Sequence, residues 1–173
     1  MKVVLRDHHE GLDGVPVYHV EDRAVELASP RADHRPPEPR SHLAGPPALP
    51  LRASFGTATL TFSAMSRELL SVDAYAPHES WARVRRDLPP PSRSGQLLLS
   101  RECAADDNGV VPIPDGELVV EQVAVDALRL VVGPGRVVES WLVGRCLAVE
   151  VDAGGELVAI VLTGVGNVGQ FAA

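Results

Sequence analysis

Hydrophobic and polar positions alternate most regularly in the last third of the chain, over residues 119–165. Within it, Val149 falls on one face of a strand and Glu150 on the other, with a period of two residues. The two glycines that end turn 152–155 supply the positive φ angles that a tight turn between strands requires. This pattern predicts a β-hairpin.

The return strand of this hairpin, residues 156–162, is apolar on both faces after its first residue. Such a strand is covered on both sides, by another sheet, a helix or a second subunit. A similar pair of strands, 127–132 and 136–143, precedes it. Residues 133–135 (Gly-Pro-Gly) join that pair as a turn, because proline fixes φ and cannot donate a ladder hydrogen bond. Four antiparallel strands of this length can bury one face.

Upstream, residues 57–62 also alternate, with apolar side chains predicted inward and threonines outward. A turn at 63–67 and a partner strand at 68–76 follow. This hairpin and the one centred on 152–155 are similar, and both return strands open with Glu-Leu, so two stacked copies would give a pseudo-symmetric β fold. Shorter strands are predicted at 2–5, 15–20, 24–28 and 96–101.

Residues 77–87 are the best helical candidate, with proline near the start, an acid early and arginines late. The fold prediction is therefore mainly β, with antiparallel sheets packed as a sandwich or a partly open barrel and one short helix near 77–87.

The C-terminal strands carry a resemblance to a known family. Residues 126–130 (Asp-Ala-Leu-Arg-Leu), the Gly-Pro-Gly turn and residues 151–160 resemble a short bacterial β-domain family of unknown function. Its pattern opens with Asp-Ala-Leu-Tyr and closes on Asp-x-x-Gly-x-Leu-x-Gly-Ile-Glu. The resemblance covers the last quarter of the chain and implies a small β-meander with no established catalytic residues. The chain departs from the pattern at Arg129, where tyrosine is usual, at Ala159, which replaces glycine, and at Val161, which replaces the acid.

Composition narrows the class of protein. The chain has 173 residues, of which 45% are hydrophobic and only 4% aromatic, so a core has to be built from valine, leucine and alanine. A net charge of −7 argues against nucleic-acid binding, which requires a basic surface. No apolar run reaches the ~18 residues of a membrane span, and the N-terminus lacks the apolar core of a signal peptide. We expect a cytoplasmic protein that binds neither nucleic acid nor membrane.

Proline divides the chain. Seven of the fifteen prolines fall between residues 30 and 50, where they exclude a helix or a central strand and favour an extended conformation. The predicted division is a small N-terminal β unit at 1–29, a proline-rich arm or linker at 30–53 and a main β domain at 54–173. An arm of this kind is suited to exchange between subunits, which we hold as a hypothesis.

The candidate ligand site surrounds the end of strand 68–76. On a helix, the last two arginines of the set below share a face that can receive a phosphate or a carboxylate. The same residues are typical of a capped, solvated helix start, and both interpretations stay open. The candidate ligand-binding residues are Asp73, Tyr75, His78, Glu79, Arg83 and Arg86.

Residues 7–10 (Asp-His-His-Glu) are the most metal-like cluster, and His19 is placed opposite them if the first two strands form a hairpin. The candidate metal ligands are His8, His9 and His19, although neighbouring histidines on a strand point to opposite faces unless the strand bends. A solvated loop before a turn is the alternative. Cys103 and Cys146 lie far apart with no Cys-x-x-Cys spacing, and no cofactor is indicated.

No P-loop, dinucleotide fingerprint, nucleophile elbow or zinc-protease signature is present. The leading hypothesis is a non-catalytic β module that acts by self-association, as a homo-oligomer, or by binding a protein partner. The doubly apolar return strand and the proline-rich arm motivate it. The alternative is a small-molecule or metal-dependent enzyme whose site is built from the N-terminal histidines or from the 73–79 polar cluster, so whether the protein is an enzyme stays open.

Overall fold

The structure, a computed structural model, describes residues 1–7, 12–28, 49–84, 88, 90–113 and 117–167. Over these ranges the chain is mainly β, as predicted. The described part contains no helix long and apolar enough to cross a membrane. In chain order the strands are β1 (Val3–Asp7), β2 (Val17–His19), β3 (Ala24–Ala28), β4 (Leu51–Phe55), β5 (Ala58–Phe62), β6 (Leu69–Tyr75), β7 (Ala82–Arg83), β8 (Arg93–Leu99), β9 (Val110–Val111), β10 (Val119–Ala124), β11 (Ala127–Val131), β12 (Glu139–Gly144), β13 (Leu147–Val151) and β14 (Leu157–Thr163).

These strands form two sheets that pack together, and the packed sheets do not close into a barrel. The large sheet has eight strands in the order β1-β8-β12-β13-β14-β11-β10-β7. The small sheet has six, in the order β2-β3-β6-β5-β4-β9. Side chains from both sheets meet in one apolar core, among which Leu27, Leu60, Phe62, Leu130 and Ile160 are fully buried.

The alternation predicted for residues 57–62 is confirmed by burial. Ala58, Leu60 and Phe62 of β5 are fully buried, whereas Thr59 and Thr61 are only half-buried on the opposite face. The same period of two governs β4 and β6, because successive side chains on a strand point to opposite faces. The small sheet therefore has an apolar inner face and a polar outer face.

The same five-strand pattern occurs twice. We call β2 to β6 the first repeat and β10 to β14 the second repeat. The order is β4-β5-β6-β3-β2 in the small sheet and β12-β13-β14-β11-β10 in the large one. The two long hairpins even carry a register shift at the same place, between Thr61 and Phe62 in one and between Glu150 and Val151 in the other. This topology agrees with the predicted pseudo-symmetry.

Each repeat completes the sheet of the other. The segment after β6 forms β7, which pairs in parallel with β10, the first strand of the second repeat. The segment after β14 returns in the same way to β2, where Gly166 bridges Val17 in parallel and its oxygen accepts a hydrogen bond from the backbone of Tyr18 at 3.1 Å. The two repeats are therefore joined by a reciprocal exchange of their C-terminal extensions.

The predicted pairing of 127–132 with 136–143 is wrong. These residues form β11 and β12, which lie two strands apart, separated by β14 and β13. The connection between them runs along the end of the β13–β14 hairpin, where the backbone nitrogens of Val132 and Gly133 donate to the oxygen of Val158 at 2.9 and 3.0 Å. A Cβ at Gly133 would lie 2.6 Å from the oxygen of Leu157, so this close approach requires glycine. The likely-looking turn is thus a crossover, and only β12, β13 and β14 form a meander.

The helix predicted near 77–87 is shorter than expected. The described residues contain a single 3-10 turn, His78–Ser80, after which Trp81 is extended at φ −70° and ψ 127°. The indole nitrogen of Trp81 donates to the oxygen of Ala76 at 3.0 Å, and its ring meets Tyr18 edge-on at 5.0 Å between centroids. Docking of this side chain and the pairing of β7 with β10 outweigh the helical propensity of the segment.

The N-terminal strands go to different sheets, since β1 pairs with β8 in the large sheet and β2 pairs with β3 in the small one. The hairpin that would place His19 opposite residues 7–10 is therefore not formed. The predicted division at 29 and 53 stays a prediction, and most of the proline-rich arm lies outside the described residues.

The contact that closes the start of the small sheet against β12 can be tested at Gly144. A Cβ there would collide with the backbone oxygen of Leu12, whose nitrogen donates to the oxygen of Val143 at 2.9 Å. We expect Gly144→Ala to lower the free energy of unfolding by ~1–3 kcal/mol in chemical denaturation, because the backbone has to move to admit the methyl group.

Gly154→Ala is the matched control, since the nearest atom to its Cβ would be a side-chain oxygen of Asp152 at 3.3 Å. Equal stability of the two variants would show that the Leu12–Gly144 contact is not tight in solution.

Candidate functional site

An open basin lies on the outer face of the small sheet. Its volume is about 280 Å³, and strands β2, β3, β5 and β6 supply most of its walls. The lining residues are His19, Asp22, Ala24, Val25, Glu26, Thr57, Thr59, Asp73, Ala74 and Tyr75. We call it the outer basin.

The register of β3 against β6 places the key side chains. Glu26 is directly opposite Asp73, and Ala24 is directly opposite Tyr75. Opposite residues of an antiparallel pair project to the same face, so all four lie on the outer face. The small side chain of Ala24 leaves a depression beside the Tyr75 ring, which is half exposed. The basin thus results from an alanine set among larger side chains.

Tyr75 sits at a well-anchored strand end. Its backbone nitrogen donates to the oxygen of Thr57 at 3.0 Å, and the hydroxyl of Thr57 donates to the oxygen of Tyr75 at 2.7 Å. These two hydrogen bonds fix the backbone from which the ring projects. The aromatic wall of the basin is therefore held in place by the β5–β6 turn.

The outer basin is acidic. Asp22, Glu26 and Asp73 contribute three carboxylates, and among its described lining residues there is no lysine or arginine. Asp73 accepts a hydrogen bond from the Ser71 hydroxyl at 2.9 Å, and Nε2 of His19 lies 3.5 Å from a carboxylate oxygen of Glu26. Grouped carboxylates in a concave surface produce a negative local potential, which attracts cations.

The structure brings together three of the predicted site residues, since His19, Asp73 and Tyr75 all line the outer basin. It places His78 and Glu79 in the 3-10 turn and Arg83 on β7, at the edge of the other sheet. The remaining candidates, His8, His9 and Arg86, lie outside the described residues.

The 3-10 turn forms a separate charged group. Oε1 of Glu79 lies 3.9 Å from Nη1 of Arg23, and Oε2 lies 3.5 Å from Nδ1 of His78. The pKa of Glu79 is lowered, chiefly because its carboxylate accepts a hydrogen bond from its own backbone and also because of the charges of His78 and Arg23. We regard this as a solvated ion-pair group and not as part of the basin.

The metal prediction gains no support from the part of the chain that the structure describes. There, no group of three or more histidine, cysteine, aspartate or glutamate side chains is arranged to hold a metal ion. His19 is half exposed on β2 and faces the outer basin. The set His8, His9 and His19 stays a prediction.

Sequence reasoning missed Asp22, Glu26 and Thr59 as site residues. Glu26 stands at the polar position of the alternating strand 24–28, and Thr59 at that of 57–62, so both were readable as outward-facing. What the sequence did not show is that β3 pairs with β6, nearly fifty residues later, which brings Glu26 beside Asp73.

The equivalent face of the second repeat is built differently. Arg129 occupies the position that corresponds to Glu26, and its Nη1 lies 2.8 Å from Oε2 of Glu121. Its Nε and Nη2 donate to Oε2 of Glu150 at 2.9 and 2.7 Å. Because Arg129 is on β11 and Glu150 on β13, this ion pair spans β14, which lies between them.

The Arg129 group is buried, with Arg129 and Glu150 each only 4% exposed. Burial opposes the charged guanidinium, but its hydrogen bonds to Glu150 and Glu121 prevail and raise the pKa of Arg129 above its usual value. Val161, directly opposite Arg129, and Ala159, directly opposite Glu150, leave room for the two side chains to meet across β14. The return strand is thus buried on both faces within one chain, which confirms the predicted cover.

No protein-family model matches this chain, and no curated protein matches it. The resemblance of its last quarter to the short bacterial β-domain family therefore stays a prediction. In the structure, the three departures from that pattern are not scattered, since Arg129, Val161 and Ala159 all belong to the ion pair that spans β14.

The Arg129 group can be tested by Arg129→Met. Loss of the guanidinium leaves Glu150 buried without a countercharge, so we expect the free energy of unfolding to fall by about 3–5 kcal/mol in chemical denaturation.

Arg145→Met, at an exposed position of the β12–β13 turn, serves as the control and should change stability little. If both variants lose the same small amount, the buried ion pair does not stabilise the fold as described.

Proposed function

We propose that the protein is a non-catalytic β module that binds another protein through the outer face of its small sheet. The observation that carries this proposal is the outer basin, a concave acidic site with an exposed tyrosine in an otherwise shallow polar surface. Partly exposed aromatic side chains beside a polar rim are typical of protein interfaces.

The rest of the outer face suits a flat contact. Ser54, Thr59 and Thr61 project from neighbouring strands beside the basin, and the hydroxyls of Ser54 and Thr59 lie 3.2 Å apart. Short hydroxyl side chains lose little conformational entropy when a partner covers them and can donate or accept hydrogen bonds. The face therefore combines one anchoring depression with an adaptable polar surround.

Self-association is less well supported than binding of a different protein. The return strand β14 motivated it, but β14 is already buried within one chain, so it does not require a second subunit. The strands at the sheet edges are also short, since β7 and β9 have two residues and β2 has three. The longest edge strand, β1, exposes Arg6 and Asp7, and charged edge strands oppose pairing between copies.

The proposal can be tested with Asp73→Lys, which reverses a charge within the basin while leaving the inner face unchanged. We expect that proteins retained from the native cell extract by the immobilised wild-type chain are lost with this variant, because a lysine repels and blocks what the carboxylate attracts. The control is Asp107→Lys, the same change in an exposed turn.

Equal retention by the two variants would place the contact elsewhere and contradict the proposal. Matching thermal unfolding of Asp73→Lys and the wild type excludes misfolding as the cause of any loss.

A small-molecule site, with or without catalysis, is the second candidate function. The observation that favours it is that His19, Asp73 and Tyr75, chosen from separate parts of the sequence, meet in one basin. Histidine, carboxylate and phenol groups in one depression are also found in enzyme sites.

Native mass spectrometry of the untagged protein distinguishes this candidate. We expect the chain mass with nothing added if the module binds only proteins. A persistent extra mass that disappears with Asp73→Lys would instead support the small-molecule site, and its value would indicate the ligand.

A further inference from the structure

We infer that the outer basin accepts an arginine side chain of the protein partner, as the second repeat accepts its own Arg129. This inference rests on the proposed function and specifies the chemistry of the contact. It depends on the correspondence between the two repeats, on the charges of the basin and on the exposed ring beside it.

The two repeats can be compared position by position from their hairpin registers. Phe62 pairs with Leu69 just beyond the register shift in one hairpin, and Val151 pairs with Leu157 in the other. Counting four residues on from Leu69 and Leu157 reaches Asp73 and Val161, which are therefore equivalent.

The neighbours of that position carry the contrast. Across the strand pair, Asp73 is opposite Glu26, whereas Val161 is opposite Arg129. The first repeat thus has two carboxylates where the second repeat has an apolar side chain and a guanidinium.

The second repeat shows how this part of the fold holds a guanidinium. Arg129 lies flat over β14, with Glu121 of the neighbouring strand on one side and Glu150 on the other. One cation is thus held by carboxylates projecting from strands on both sides of it. The same outer face of the first repeat carries acids but no described basic side chain, so the arginine is the missing element.

The acids of the first repeat are also placed unfavourably for the isolated chain. Like charges directly opposite on an antiparallel pair are destabilising, and Glu26 and Asp73 are such a pair. The imidazole of His19 is near Glu26 but is only half buried, so water screens that contact. A guanidinium between the two carboxylates would convert the repulsion into two charge-assisted hydrogen bonds.

Tyr75 makes arginine a better occupant than lysine. Its ring stands beside the Ala24 depression, opposite in register to Ala24 and next to the acidic pair. A planar guanidinium stacks on an aromatic face and presents a fork of N–H groups to carboxylates, whereas an ammonium is a strongly hydrated point charge. The basin offers both a face and acceptors.

The experiment is an NMR titration of the full-length ¹⁵N-labelled chain with a blocked Gly-Arg-Gly peptide. We expect saturable shifts at Glu26, Asp73 and Tyr75, and about tenfold weaker binding for the citrulline peptide, which keeps the shape but lacks the charge. The lysine peptide should also bind more weakly. Glu26→Gln and Asp73→Asn should each weaken arginine binding about tenfold, and the matched Asp107→Asn should not.

Equal binding of the arginine, lysine and citrulline peptides, or no shifts at these residues, would overturn the inference. Loss of protein capture by Asp73→Lys without arginine binding would leave the proposed function standing and the inference refuted. Arginine binding with no capture of any protein would identify a cation site and refute protein binding instead. A two-dimensional spectrum of each variant confirms that it is folded.

Discussion

The reciprocal exchange of C-terminal extensions is the constraint on which the rest of the structure depends. The chain after β6 adds a parallel strand to the second repeat, and the chain after β14 adds a parallel bridge to the first. Neither sheet is complete without residues from the other half. Because the exchange is mutual, the two sheets face each other in a fixed relation, and their inner faces share one core. The outer faces are then the surfaces on which the repeats can differ.

The outer faces show two uses of one framework. In the second repeat, Arg129 and Glu150 cover β14 and make that face self-sufficient, with the charges satisfied internally. In the first repeat, Glu26 and Asp73 stand together beside an exposed tyrosine, and the face is left polar and concave. A buried ion pair is weak evidence for stability when compared with apolar packing, but it fixes which side chains meet. The contrast suggests that one half contributes mainly to structure and the other to recognition.

Much of the fold could be predicted from period-two alternation, because each sheet has one apolar and one polar face. The β5–β6 and β13–β14 hairpins were predicted with their turns, since short-range turn chemistry determines them. The position of β11 was not, because a Gly-Pro-Gly segment suits a crossover as well as a turn. For the site, Asp73, Tyr75 and His19 were recognised as polar residues, but their meeting depends on the pairing of β3 with β6, a contact between residues far apart in sequence.

The repeat within one chain has a consequence for how the protein can evolve. In a symmetric dimer of two half-length chains, every substitution would appear on both outer faces, so an arginine that closes one face would close the other as well. Joining the copies in a single polypeptide removes that coupling. Arg129 and Glu26 can then occupy corresponding positions with opposite charge. The fused arrangement allows one surface to be sealed while its counterpart stays open to selection for a partner.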